Sequence, residues 1–230
     1  MLTEFGKEVL KTTAVAIVFA LMVLWAMCAD ADDRGPPGWK HRPVCSAPTA
    51  VYTSMMAEGW LTEAASIAVA FWNKQLGRRV LLDGGRVPMD YTDGDTPGYV
   101  GIRAAPLDMV DAWRANPWWT VAHARNRLND KHTCIQGTAI WVDTECVVED
   151  PAEAFDGCRY KGDVIKTIVH EMGHALGLSH SKTYATVMYT PSSTMGPVWS
   201  LAPDTQHAVS VLYSDIVVND YIERAVEVSQ

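Results

Sequence analysis

Residues 164–181 read VIKTIVHEMGHALGLSHS, and no other stretch limits the fold so tightly. His170, Glu171, His174, Gly177 and His180 stand in the order H-E-x-x-H-x-x-G-x-x-H. Histidines four apart stack on one face of a helix and can bind one ion together. Ile165, Ile168, Val169 and Met172 supply apolar positions at helical spacing, with Asp163 as the expected N-cap. Gly177 is where the helix should stop, because glycine enters the left-handed conformation without a Cβ penalty. The chain can then turn back and deliver His180 as a third ligand. Three neutral imidazoles on Zn²⁺ leave one tetrahedral position open to water, whose pKa falls to about 7. Glu171, one helical step round from the ligand face, can reach that water as general base without being a ligand. A zinc kept for structure alone is normally closed by four protein ligands, which this pattern does not supply.

The segment HEMGHALGLSHS resembles the active-site segment of the matrixins, the matrix-metalloproteinase branch of the metzincins. Downstream, Ala185-Thr186-Val187-Met188-Tyr189 resembles the Met-turn of that family, which implies that Met188 lies beneath the metal. Residues 201–213, from Leu201-Ala-Pro-Asp204 to Val211-Leu212-Tyr213, resemble its closing helix. The family's second aspartate is Thr205 here, and its closing glycine is Ser214. The strong resemblance covers residues 163–213. It implies an α+β fold of the metzincin or zincin-like type. That fold has a twisted, mostly parallel sheet with an antiparallel edge strand, two long helices behind it, a smaller C-terminal subdomain, and a zinc cleft between the two parts. Ala122-His123-Ala124 resembles the edge strand along which a peptide substrate docks antiparallel. The resemblance also assigns the wall of the pocket just after the scissile bond to Tyr189, Thr190 and Pro191 and on to Gly196. No charged residue falls between Val187 and Trp199, so an apolar preference is expected there, graded among Leu, Ile, Met and Phe. His123 and His132 could join a second zinc site as in vertebrate matrixins, but the acidic and glycine residues that should accompany them are missing.

At 230 residues and 48% hydrophobic, the chain can bury one good core. A net charge of −8 argues against a nucleic-acid partner. Residues 12–29 form an uncharged run after Lys7 and Lys11, long enough to span a bilayer and long for a signal-peptide core. The expected organisation is therefore a signal anchor or a cleaved signal peptide over 1–29, a Pro-, Gly- and charge-rich tether over 30–50, and the catalytic domain over 51–230. Both readings of the first segment put that domain outside the cytoplasm, secreted or membrane-anchored through 12–29. Beyond Cys28, the four cysteines Cys45, Cys134, Cys146 and Cys158 suggest two disulfides, with three connectivities open. Cys45 lies in HRPVCSAP, which faintly resembles the cysteine-switch peptide of the matrixins without its Pro-Arg-Cys-Gly order.

Along the domain, residues 60–76 read as a helix with Thr62 as N-cap and Gly77 as stop. Strands are expected at 79–82, 99–104, 119–124 and 138–142, and a short helix at 106–115. Residues 83–98 read as a Gly- and Asp-rich loop. Asp90, Asp93 and Asp95 in it offer oxygens for Ca²⁺, although an ordinary turn explains them as well. Pro117-Trp118-Trp119 reads as core aromatics, and 203–214 as a helix.

The sum is a zinc metalloendopeptidase acting on a protein or peptide substrate, with Glu171 as base. Its rivals are a catalytically silent zinc scaffold that binds partners at a cell or virion surface, and a zinc hydrolase of non-peptide amides. An intact Glu171 speaks against the silent scaffold. The pattern leaves the oligomeric state open.

Overall fold

The computed structural model describes residues 42–47, 49–88, 92, 97–115, 121–154, 158–184, 186–189 and 200–213. A five-stranded sheet is its backbone, with strands β1 (Thr49–Ser54), β2 (Leu81–Val87), β3 (Tyr99–Ala104), β4 (Ala122–Leu128) and β5 (Ile135–Val142) in the spatial order β2-β1-β3-β5-β4. The first four in that order run parallel, and β4 pairs antiparallel with β5 at the edge. Parallel neighbours need long crossovers, and helix α1 (Gly59–Leu76) supplies the one between β1 and β2. The short α2 (Leu107–Arg114) follows β3, and α3 (Lys161–Ala175) carries the histidine motif. A two-stranded pair, β6 (Val147–Val148) and β7 (Arg159–Tyr160), leads into α3, and α4 (Pro203–Leu212) closes the described chain.

Helix α1 buries Leu61, Ala64, Ala65, Ala68, Val69 and Trp72, a stripe at spacings of three and four. The small alanines let α1 and α3 approach closely. Trp72, fully buried, donates its indole N–H to the Val169 carbonyl of α3 at 2.8 Å, which satisfies the one polar atom that so large a core side chain brings inside. Asn73 stitches the end of α1 to the sheet: its amide oxygen accepts from the Val80 and Leu81 N–H groups, and its nitrogen donates to the Leu81 carbonyl. Gly77 ends α1 at φ 67°, as expected.

Several boundaries differ from the sequence expectation, for local reasons. Helix α1 starts at Gly59 with Glu58 before it, and Thr62 instead shares a hydrogen bond with Thr53 of β1. Helix α3 is preceded by Tyr160, so Asp163 lies in the first turn rather than at the cap, where its charge still favours the helix dipole. Strand β2 runs on through Asp83-Gly84-Gly85 to Val87, because pairing with β1 overrides the turn-forming glycines, with an irregularity between Val51 and Tyr52. Strand β4 is displaced toward Leu128, and β5 starts three residues earlier than expected.

The cysteines pair as Cys45–Cys134 and Cys146–Cys158. Cys45 is therefore committed to a structural bond and is no switch ligand. The transmembrane expectation is corrected. Among the described residues no helix is long and apolar enough to cross a membrane: α3 has 15 residues, and α1, with 18, carries Glu63, Asn73, Lys74 and Gln75. The run 12–29 lies outside those residues, as do the 1–29 segment and most of the expected tether.

Candidate active site

Helix α3 presents His170 and His174 one turn apart, and both are buried. Each ring is fixed by a backbone carbonyl: Nδ1 of His170 lies 2.7 Å from the Val187 carbonyl, and Nδ1 of His174 lies 2.7 Å from the Leu178 carbonyl. A carbonyl only accepts, so both Nδ1 atoms carry the proton and both Nε2 atoms present lone pairs. Those lone pairs converge. Nε2 of His174 is 3.2 Å from Nε2 of His170 and 3.1 Å from Nε2 of His180. With Nδ1 protonated, His170 and His174 have no proton to share across that gap. A cation between them resolves the repulsion. Two nitrogens bound tetrahedrally at about 2.0–2.1 Å to one zinc stand about 3.3 Å apart, close to what is seen. The three nitrogens are the one group of three or more candidate ligands among the described residues. The donor set thus fits zinc in both chemistry and spacing.

Burial drives the basicity of these rings down, to about 4 for His170, well below the ordinary value for His174, and in the same direction for the exposed His180. Neutral imidazole is the form a metal requires.

His180 reaches the triad by a different route. Leu178 N–H bonds the Gly173 carbonyl at 3.0 Å and Gly177 N–H bonds the His174 carbonyl at 2.9 Å, a Schellman closure around Gly177 at φ 84°. Beyond it, Ser181 N–H bonds the Met188 carbonyl at 2.7 Å, and the Ser181 hydroxyl donates to both oxygens of Asp204, at 3.1 and 2.9 Å. Asp204 of α4 therefore holds the chain just after His180. Thr205, where the matrixin pattern has its second aspartate, is buried and donates its N–H to Asp204.

Met188 is fully buried and lies against Gly173, between the two helical histidines. A Cβ at Gly173 would collide with the Met188 sulfur and the Trp72 ring. That is why x-Gly precedes the second histidine here. Tyr189 follows, half-buried beside the ring of Tyr184. Thr190 and Pro191, named for the pocket wall, lie outside the described residues. So do Asp90, Asp93 and Asp95, and Trp118 and Trp119.

Glu171 is buried, and its Oε2 accepts the Ala124 N–H of β4 at 2.7 Å. Burial pushes its carboxyl up to about 8, against the pull of that N–H. The sequence indicated Glu171 but not this tether. Nor did it reveal Asn126, whose amide donates to the His174 carbonyl at 2.8 Å and accepts from Thr138 at 2.7 Å. The inward alternation of Ala122, Ala124 and Asn126 along β4 was its signal. His123 points to the other face, exposed, and His132 sits in the β4–β5 turn at φ 53°.

A mixed five-stranded sheet backed by two long helices, with three histidines and a glutamate at its antiparallel edge, defines a metzincin-like metallopeptidase. The matrixin family model matches residues 56–214, well over half of the chain, and the protein belongs to that family. Among curated proteins, none matches the chain.

Proposed function

We propose that this matrixin-family zinc peptidase is an endopeptidase in which His170, His174 and His180 hold one Zn²⁺ and Glu171 serves as general base. The observation that carries the reading is the convergence of three histidine Nε2 atoms, two of them with their lone pairs fixed inward, next in sequence to a buried glutamate. When bound, zinc supplies a Lewis acid that polarises the scissile carbonyl and acidifies a water. A cation so close also favours the ionised form of Glu171, offsetting the burial that raises it. The Ala124 N–H holds one oxygen of the Glu171 carboxylate, and the other is assigned to the attacking water. The carboxylate takes a proton from that water and passes it to the leaving amine. Met188 is assigned as the apolar floor beneath the triad.

Strand β4 is the edge strand of the five-stranded sheet, and an extended peptide docks beside it as an added strand, with the Ala124 N–H reserved for Glu171. The pocket after the scissile bond is assigned to Tyr189, Thr190 and Pro191, with a graded apolar preference, since a buried methylene is worth only about 0.8 kcal/mol. The catalytic unit is assigned to 51–230, behind an export segment at 1–29 and a linking stretch at 30–50. Two disulfides support action in an oxidising compartment, as for a secreted enzyme.

The test is zinc content together with cleavage-site profiling of purified protein on a peptide library. One zinc per chain, chelator-sensitive cleavage and apolar residues after the cut are expected. A zinc-loaded protein that cuts no peptide would make it a silent scaffold. Charged residues dominating after the cut would remove the pocket assignment.

A further inference from the structure

A short strap at residues 42–45 packs where the active-site helix turns back. The Pro43 carbonyl accepts the Ile135 N–H at 2.8 Å, and Cys45 N–H donates to the Ile135 carbonyl at 2.8 Å. Val44 thereby forms a parallel bridge with Ile135 at the start of β5. The Cys45–Cys134 disulfide pins the same point across 89 residues of sequence. One residue earlier, the Arg42 backbone lies directly on Gly177. A Cβ at that glycine would collide with the Arg42 carbonyl. Gly177 therefore answers two demands, a φ of 84° and room for the strap.

The contact is clamped from the far end of the chain. Tyr213, fully buried, donates its hydroxyl to the Leu176 carbonyl at 2.8 Å. Leu176 is the C-cap of α3, immediately before Gly177. One hydroxyl thus joins the end of α4 to the end of α3, next to the glycine on which the strap rests. Only Leu178 and Ser179 separate Gly177 from His180. The histidine is held between a turn fixed by the strap on one side and Ser181, bonded to Asp204 and Met188, on the other.

We infer that the strap at 42–45, pinned by Cys45–Cys134, together with the Tyr213 clamp on the end of α3, is a positioning element for His180 and sets the affinity of the triad for its ion. It rests on the zinc reading of the triad. Its chemical logic is preorganisation: a ligand that arrives by a turn, rather than on a helix, must be held before the ion binds, or the ordering cost falls on binding. The other disulfide, Cys146–Cys158, joins cysteines 12 apart in the loop before α3 and forms no part of the strap, so it serves as the internal control.

The experiment measures zinc affinity of the full chain by competition with a chelator of known affinity. The variants are Tyr213→Phe, Cys45→Ser/Cys134→Ser and Cys146→Ser/Cys158→Ser, with folding checked by circular dichroism. Tyr213→Phe and the Cys45/Cys134 double variant should each bind zinc roughly ten-fold to a hundred-fold more weakly, the range for losing a group that orients a ligand. The Cys146/Cys158 variant should stay within a few-fold of wild type. In a His180→Ala background the Tyr213→Phe loss should vanish, which a general weakening of the fold would not produce. If the Cys45/Cys134 variant fails to fold, Tyr213→Phe decides. Unchanged affinity in Tyr213→Phe, or an undiminished loss in the His180→Ala background, overturns the inference. Wild-type protein that takes up zinc yet cleaves nothing counts against the peptidase reading alone.

Discussion

His170 and His174 on one side and His180 on the other reach the same point by opposite means. The first two ride a single helix, buried from Thr167 onward against α1 and the sheet, and their spacing follows from 3.6 residues per turn. The third follows a left-handed glycine and is held by contacts from residues 42–45, 204 and 213. The helical half is built by local geometry and then packed. The turned half exists only because distant segments meet around it. Perturbing the first should change chemistry or fold stability, whereas perturbing the second should change metal affinity.

The largest effect is expected in the helical half. Glu171→Gln keeps an acceptor for the Ala124 N–H and all three histidines, so zinc stoichiometry should hold while turnover falls roughly 10²–10⁴-fold, the worth of general-base help. Steady-state kinetics beside metal analysis reads both, and near-normal turnover would dismiss Glu171 as the base. Next comes a matched pair of supporting residues. Asp204→Ala frees Ser181 and should weaken zinc by about ten-fold or more. Asn126→Ala removes a bond to the end of α3 and should leave zinc affinity nearly unchanged while lowering stability by about 1 kcal/mol. Equal losses of affinity in the two variants would erase the distinction between the halves.

Smaller effects are expected at Gly173, where the halves touch. Gly173→Ala forces a Cβ against Met188 and Trp72, and overpacking of this kind costs about 1–3 kcal/mol. Denaturant midpoints measure it, and a neutral change would mean that Met188 moves aside freely. The mildest signature is in pH, for zinc-free protein. His170, at about 4 when folded against about 6.5 unfolded, binds fewer protons folded than unfolded in that window. Its contribution is therefore present above about 6.5 and lost as pH falls toward 4, and His174 acts in the same sense. Glu171, raised to about 8, has the opposite sign: its contribution is present below its unfolded value and lost as pH rises through 8. The zinc-free protein should be most stable near pH 6.5, falling in acid through the histidines and declining gently toward pH 8 through Glu171. A stability that keeps rising from 6.5 to 8 would show that Glu171 is not held protonated.

What the sequence by itself determined is what short-range geometry carries. The i, i+4 histidines, the neighbouring glutamate, the helix stops at Gly77 and Gly177, and strand β3 all follow from periodicity and backbone preference within a few residues. The resemblance to the matrixins extended that reading to the antiparallel edge strand and the methionine. Tertiary structure alone decided which cysteines pair, how far β2 runs past its glycines, and that β4 shifts toward Leu128. It also decided that the Ala124 N–H takes hold of Glu171, that Tyr213 ties α4 to residue 176, and that Arg42 rests on Gly177. Each of these joins residues far apart in the chain. Backbone propensity is silent on such pairs, because they form only when burial of the shared core has already brought the segments within hydrogen-bonding distance.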